Sequence, residues 1–570
     1  MAISPFQKRR RIWALAALAA LPTAPHVWAQ AAPPAVPANV ADPSSPLRIE
    51  RQQIERLRDE QRLQQQPVKP EVTLPAAPGL PPASQVRNIP VKGFEVPASE
   101  VLSPEEIKGA LTSFENRTLS LADLFDAVAA INKLYDAKQM PTARAYLPQQ
   151  DIANGIVKIN LGEARIGKVQ VGPTVSVSSD FVQERMSQKP GDLLSSAKLE
   201  QDLVRFNRLH DVQLSAGVQA GTAPGTTDVT LTPVEPSRLQ FSMFADNAGG
   251  LTTGEERLGA TVRIAGYSGN GDSASLSLVN GRGSSSFSMS YAVPLTADDL
   301  KLDVNYSLGK IKVINGAFVP LDIGGLSREF SIGLTQPTLV DANRLWNVYG
   351  RLARKASISD FGGVAQTPAD NAVLTLGFSG EVVSDTTAWN LDVSVKQGLS
   401  AFEGKNEFTA LRANASWLKS LSSQSQIVLR GGFQHTQTQV LPSGEQFVVG
   451  GSATVRGYSE GTLAGRNGYL ASVEWRYRFL DQDQGGPSQP DVKFTGIAFL
   501  DHGAAFPFRP APLLDNTGDD YLTGAGVGVN VDIKRNTNAR LTLAWPLRDN
   551  PADGRPLKPQ INFSLTHNWN

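Results

Sequence analysis

From Leu239 onward, apolar and polar residues alternate with a period of two, the signature of half-buried strands. Trp389, Leu391, Val393 and Val395 are interleaved with Asn390, Asp392, Ser394 and Lys396, and Leu302, Val304, Tyr306 and Leu308 with Asp303, Asn305 and Ser307. Tyr469, Ala471, Val473, Trp475, Tyr477 and Phe479 share one face of a further segment; Ser472, Glu474, Arg476 and Arg478 share the other. A soluble sandwich keeps its inner face dry. A charged face opposite an aromatic one suits a closed antiparallel barrel with lipid outside and water inside, and about sixteen such strands are predicted, an even number as single-chain barrels have. A soluble all-β domain is the alternative. The longest interruption, residues 438–468, falls between the eleventh and twelfth predicted strands, and a loop of that size is usually functional or disordered.

Upstream the period changes. Residues 84–163 read as a small α+β unit: a strand near 86–94, a helix opening at Ser103-Pro104-Glu105-Glu106, an amphipathic helix from Ser120 to Lys138 with Leu124, Val128, Ile131 and Tyr135 on one face, then strands at 143–147 and 156–161 with Gly155 as a turn signal. Residues 164–236 repeat the β-α-α-β-β order, with strands at 166–171, 212–218 and 228–231 and helices at 181–186 and 197–209. Residues 30–66 form a leader and a polar helix, Leu47–Gln66, whose apolar stripe is only Leu47, Ile49, Ile54 and Leu57. Such a helix cannot be a core helix. It is either a solvated linker or a helix lodged in a wet pore, and its reach of ~30 Å matches a membrane-thick barrel. Residues 67–83 are a Pro-rich, extended linker.

Residues 1–29 have the form of a secretory signal: Lys8 to Arg11, an apolar run from Ile12 to Leu21, and Val27-Trp28-Ala29 as the cleavage site. No later apolar run is long enough for a membrane helix, so a membrane-spanning form requires a barrel. Lys+Arg and Asp+Glu are balanced at 54 each, which gives no electrostatic case for nucleic acid. There is no cysteine, hence no thiol chemistry. No G-x-x-x-x-G-K-[ST] motif is present, so no ATP site is expected. Gly457-Tyr458-Ser459-Glu460-Gly461 fits G-x-S-x-G, but no helical pattern follows it, as a nucleophile elbow requires. The histidines lack ligand spacing, so neither metal nor cofactor nor enzymatic activity is expected.

Two repeated α+β units before a barrel, Val455-Arg456-Gly457-Tyr458 in the long loop, Phe499-Leu500-Asp501 two strands on, and Ala143-Arg144-Ala145-Tyr146-Leu147-Pro148-Gln149-Gln150-Asp151-Ile152 closing the first unit together resemble the transporters of two-partner secretion. This is the TpsB family of filamentous haemagglutinin and haemolysin exporters, within the POTRA-barrel superfamily. The resemblance covers essentially all of the mature chain. It implies a sixteen-stranded barrel in the outer membrane of a Gram-negative bacterium, two periplasmic POTRA domains (84–163 and 164–236), an N-terminal plug helix, and the long loop of the 237–570 barrel folded into the pore. It further implies a large secreted partner with an N-terminal secretion domain, outer-membrane lipid around the barrel, and the barrel-assembly machinery during biogenesis. Two departures are Ala164-Arg165 after Glu163, where the family more often has a Glu-Gly pair, and an end at Trp569-Asn570 in place of a terminal Phe.

Phase along its strand places Asp501 with Lys493, Thr495 and Phe499 on the lumen face, and Glu474 also faces inward. With the family pattern, Arg456 beside the flexible Gly457 is expected to meet Asp501 as a bidentate pair that pins the loop, with Tyr458 packed beside it and Glu474 a further partner. The alternative is an exposed loop arginine of little consequence. The POTRA units either capture the partner by β-augmentation or only mount the barrel. The leading reading is a translocase exporting a large β-rich adhesin, cytolysin or toxin; a barrel-assembly protein of the same superfamily is the alternative. A diffusion porin would not need the two α+β units, and a surface adhesin would not need Arg456.

Overall fold

A computed structural model describes residues 42–73, 88–140, 142–152, 154–223, 225–366, 368–401, 407–482, 492–508, 520–534 and 536–569. The signal sequence, the first part of the leader, the Pro-rich segment from 74 to 83 and Asn570 lie outside the described residues.

The alternating region closes into an antiparallel barrel of sixteen main strands. These are β1 (Leu239–Asp246), β2 (Arg257–Ala265), β3 (Ser273–Gly281), β4 (Ser284–Pro294), β5 (Lys301–Lys312), β6 (Ile323–Val340), β7 (Arg344–Phe361), β8 (Ala369–Val383), β9 (Thr387–Leu399), β10 (Phe408–Ser420), β11 (Ser425–Thr436), β12 (Asn467–Gln482), β13 (Val492–Phe506), β14 (Tyr521–Ile533), β15 (Thr537–Pro546) and β16 (Gln560–Trp569). A short strand, Val364–Ala365, folds back on the end of β7. Closure is by β1 on β16, from Phe241 opposite Trp569 to Asp246 opposite Ser564. Trp569 stacks on Phe241 with ring centroids 5.0 Å apart, at the strand end that departs from the family's terminal Phe.

The period of two decides which face each residue meets. On β12, Tyr469, Val473, Trp475, Tyr477 and Phe479 are exposed outside while Ser472, Glu474 and Arg476 are buried inside. Among the described residues no helix is long and apolar enough to cross a membrane, so the spanning elements are strands. β6 runs well beyond the 329–336 stretch in which alternation is visible, because backbone pairing with β7 continues through Ile323-Gly324-Gly325, where no alternation marks it.

Helix α1 (Ser45–Leu63) lies within the barrel. It enters beside Gly325 near one rim, where Pro43 packs, and ends where Leu63 joins Ala388, Leu418 and Val428 near the other. The Val68 N–H then reaches the Ala342 carbonyl in the β6–β7 turn at 3.1 Å. The sparse apolar stripe divides in two. Leu47 and Ile49 are buried, but Ile54 is exposed and Leu57 is 58% exposed. The helix leans on the wall through ion pairs, and those two side chains face the unfilled side of the lumen.

The first α+β unit carries α2 (Pro104–Leu111) and α3 (Leu121–Ala137). Ser103 and Ser120 each open their helix with a capping box, to Glu106 and Asp123 respectively. All four expected residues are buried: Val128, Ile131 and Tyr135 in one core with Ile107, Leu111 and Ile159, and Leu124 in a second with Val91, Leu119 and Val157. Gly155 turns the chain at φ +75°. The second unit has strands Arg165–Val171, Gln213–Ala220 and Thr226–Val234 and helices α4 (Ser179–Glu184) and α5 (Ser196–Leu209). Its sheet gains a fourth strand that the alternation did not reveal: Val72 and Thr73 of the linker run parallel to Ala216 and Gly217.

The second unit is fastened to the barrel at two turns: at β2–β3, where the Ser178 N–H reaches the Gly269 carbonyl at 2.8 Å and Val177 bridges Asn270, and between β4 and β5. Asp299, buried at φ +63°, accepts from Arg185 Nε at 2.7 Å, lies 3.1 Å from His210 Nε2 and pairs with Arg205 at 3.4 Å. Arg185 and Arg205 also donate to the Thr296 and Asp298 carbonyls at 2.7 and 2.8 Å.

Candidate functional site

The long loop, residues 437–466, folds into the barrel. A small hairpin within it, Phe447–Val449 against Leu463–Gly465, buries Val455 and Tyr458 with Phe447, Val449, Ala505 and Leu522. This apolar seat explains why a loop so rich in Gly, Ser and Thr keeps one conformation. It packs its own side chains against the inner wall.

Beside that seat lies a cluster of charges. Arg456 Nε and Nη2 donate to the two carboxylate oxygens of Asp501 at 2.7 and 2.8 Å, a bidentate pair, and its backbone N–H reaches Asp501 Oδ2 at 3.1 Å. Arg456 Nη1 donates to Glu474 Oε2 at 2.6 Å, and its guanidinium sits 3.4 Å above the centre of the Phe499 ring. Ser472 donates to Asp501 at 2.7 Å. All three charged groups are buried. At such depth, removing one partner strands the others, at a cost of about 3–5 kcal/mol.

Two glycines make the approach possible. Gly457 has φ +97°, and a Cβ there would stand 2.9 Å from Pro546 N. A Cβ on Gly524 would lie only 1.9 Å from the Arg456 carbonyl. The Tyr458 hydroxyl shares its proton between the Arg548 and Thr523 carbonyls at 2.8 and 3.0 Å, tying the loop to the adjoining ends of β14 and β15. The expected residues Val455, Arg456, Gly457, Tyr458, Glu474, Phe499 and Asp501 thus meet in one place.

Other participants were not singled out from the sequence. Glu474 also takes Arg476 Nε at 2.7 Å and Arg540 Nη2 at 3.2 Å. Those two arginines reach on to Glu60 of α1, both at 3.3 Å, and Arg430 joins Glu60 at 3.0 Å. Asp553, from the β15–β16 loop, accepts the Ser459 N–H at 2.7 Å and the Thr462 hydroxyl at 3.0 Å. Arg48, Gln52 and Arg56 form an i, i+4, i+8 ridge on α1 that donates to the loop carbonyls of Ser443, Val448 and Ser452. That ridge is visible in the sequence as a polar stripe; its acceptors are not. Glu445, at the start of the loop, pairs with Lys355 at 2.6 Å and Lys396 at 2.8 Å.

The cluster offers no nucleophile with a positioned base. Ser459 of the G-x-S-x-G match uses its amide and hydroxyl to hold Asp553. Among the described residues there is no group of His, Asp or Glu able to hold a metal. What the arrangement does chemically is hold: it binds a loop and a helix to one wall by buried ion pairs.

Comparison with known proteins places this arrangement. The haemolysin secretion/activation family ShlB/FhaC/HecB matches residues 225–531, and the ShlB-type POTRA domain matches residues 89–164. The chain is 21% identical over 468 residues to the outer membrane transporter CdiB of Dickeya dadantii (strain 3937), covering 79% of this chain and 81% of that protein. It is 22% identical over 539 residues to the hemolysin transporter protein ShlB of Serratia marcescens, covering 90% and 92%. The solved structure of CdiB from Escherichia coli superposes with a TM-score of 0.66 at 17% identity, over 93% of this chain and 99% of that one. A closed sixteen-stranded barrel with a helix in its lumen and POTRA units at one rim therefore belongs to the haemolysin secretion/activation (TpsB) family: the chain is an outer-membrane transporter that exports a partner protein, with its POTRA domains in the periplasm.

Proposed function

We propose that this transporter rests shut, with α1 as the plug and the 437–466 loop locked inward by Arg456, and that both give way when the partner threads the barrel. The observation that carries this reading is the continuous ion-pair network from Asp501 through Arg456 and Glu474 to Arg540, Arg476 and Glu60, which joins loop, wall and helix. The barrel-forming half is residues 237–570, and the two POTRA domains are residues 84–163 and 164–236. The cargo is a large β-rich adhesin, cytolysin or toxin with an N-terminal secretion domain, moved without ATP. Its folding outside the cell biases the threading chain outward.

Capture falls to the POTRA sheet edges. In each domain an asparagine on the second helix clamps the start of the edge strand as a neighbouring peptide group would. The Ala145 N–H donates to Asn132 at 2.7 Å, and the Leu214 N–H to Asn207 at 2.6 Å. Beyond Asn207, the Gln213–Ala220 edge accepts linker residues as an added strand, with the Ala216 N–H on the Glu71 carbonyl at 3.0 Å. An edge that accepts the chain's own segment supports augmentation by an extended partner segment, and an incoming segment there would displace the linker that leads to the plug.

The reading is tested by unitary conductance in planar bilayers. A variant lacking residues 42–66 is expected to conduct severalfold more than the full chain; equal conductance would remove the plug.

A further inference from the structure

The wall beneath α1 has a property that the plug conceals. Arg412 on β10, Arg430 on β11, Arg476 on β12 and Arg540 on β15 all point inward, and every one is met by a glutamate of the helix: Arg412 by Glu55 at 3.3 Å, the other three by Glu60. The first three descend the wall as a diagonal. Arg412 pairs across to Gln434 and Arg430 lies four residues nearer the periplasm on that strand; Arg430 pairs across to Ser472 and Arg476 again lies four residues nearer the periplasm.

From β10 to β15 the wall itself supplies little countercharge. Asp501 is taken up by Arg456 and Ser472, and Glu474 is divided among Arg456, Arg476 and Arg540 of the loop and wall, with Arg56 of α1 at 3.8 Å. For Arg412 and Arg430, Glu55 and Glu60 are the carboxylates within ion-pair distance among the described residues. The Nε atoms of both have no acceptor among the described residues. When α1 leaves, Glu55 and Glu60 leave with it, and the arc from β10 to β15 is left with arginines in excess of carboxylates, while Arg51 and Arg62 depart from Glu329 and Glu381 on β6 and β8. In a lumen surrounded by lipid such a field is focused along the pore.

We infer that the vacated wall is a guide for the exported chain, and that it receives acidic side chains of an extended segment in the places held at rest by Glu55 and Glu60. This rests on α1 being a plug. Guanidinium forks bind carboxylates bidentately while leaving an extended backbone free to slide from one arginine to the next. The Glu55–Glu60 face of the resting helix is then a mimic of the cargo's acidic stretches.

The test uses the variant lacking residues 42–66 in planar bilayers. A reversal potential under a KCl gradient is expected to show anion selectivity. An unstructured Asp/Glu-rich peptide added from the periplasmic side is expected to block at about tenfold lower concentration than its Asn/Gln counterpart, a ratio in keeping with charge-assisted hydrogen bonds. Arg412→Gln with Arg430→Gln in the same background should reduce both effects severalfold, and Arg412→Lys with Arg430→Lys should keep the selectivity while weakening the block. Heat-modifiable mobility of the barrel verifies that each variant is folded. Raised conductance without anion selectivity, or equal block by acidic and neutral peptides, would overturn this inference and leave the plug standing. Unchanged conductance would overturn both.

Discussion

Glu60 of the lumen helix and Glu474 of β12 are held by the same two wall arginines, Arg476 and Arg540. Glu474 is at the same time a partner of Arg456 in the loop. Plug and loop therefore do not rest on the wall independently. Withdrawing Glu60 frees donors on Arg476 and Arg540 and changes the field at Glu474.

That relationship predicts coupling. Glu60→Gln should raise the frequency of spontaneous channel openings, and Glu474→Gln should do so more strongly because it also frees Arg456. The double variant should fall short of the sum by about 0.5–3 kcal/mol in the opening equilibrium. Single-channel recordings of the four proteins measure this; additive effects would show that helix and loop are separate closures.

The linker on the second POTRA sheet predicts that capture requires its release. The chain has no cysteine, so Thr73→Cys with Gly217→Cys introduces one pair at positions directly opposite in the parallel register. A Cβ at Gly217 meets only ordinary contact, 3.9 Å from the Thr230 carbonyl. Oxidation should abolish binding of the partner's secretion domain and leave the low resting conductance unchanged, and reduction should restore binding. Binding that survives oxidation would move capture away from this edge.

Glu163 closes the first POTRA domain at the point where the family's usual Glu-Gly pair is absent. Partial burial pushes its carboxyl up, but the Ser99 hydroxyl, the Glu100 N–H at 2.9 Å and the Tyr135 hydroxyl at 2.7 Å outweigh this and hold it below the usual carboxylate range. A carboxyl with a depressed folded-state value contributes stability that is present above the unfolded value, about 4.3, and is lost as pH falls through the folded one. Hydrogen exchange in the 95–163 region of the full chain should therefore accelerate as pH is lowered below about 4.3, after correction for intrinsic exchange. Glu163→Gln should flatten that dependence. An unaltered profile in the variant would assign the loss to other groups.

The barrel was legible because lipid and water enforce a period of two, and β12 displays it from Tyr469 to Phe479. The same phase placed Asp501 and Glu474 inward. The loop's inward course was legible only through the resemblance carried by Val455 to Tyr458 and Phe499 to Asp501. Glu60 was not legible as a hub, since its partners Arg430, Arg476 and Arg540 lie 370 to 480 residues away, and a polar helix gives no sign of which arginines it meets. Which way Ile54 and Leu57 face was not legible either, since a water-filled lumen does not force every apolar residue against the wall. The Val72–Thr73 strand was too short to show any period.

The central claim is that Arg456 locks the loop inward and that this lock is part of the export cycle. The most direct measurement is the rate of partner export by Arg456→Ala, with Arg456→Lys beside it, at matched outer-membrane levels of heat-modifiable barrel. Arg456→Ala is expected to insert normally but to export at least tenfold more slowly, a factor equal to about 1.4 kcal/mol and well within the cost of stranding Asp501 and Glu474. Arg456→Lys is expected to recover only a fraction of the rate, because an ammonium cannot reproduce the fork. Normal insertion of Arg456→Ala with export at the full rate would contradict it.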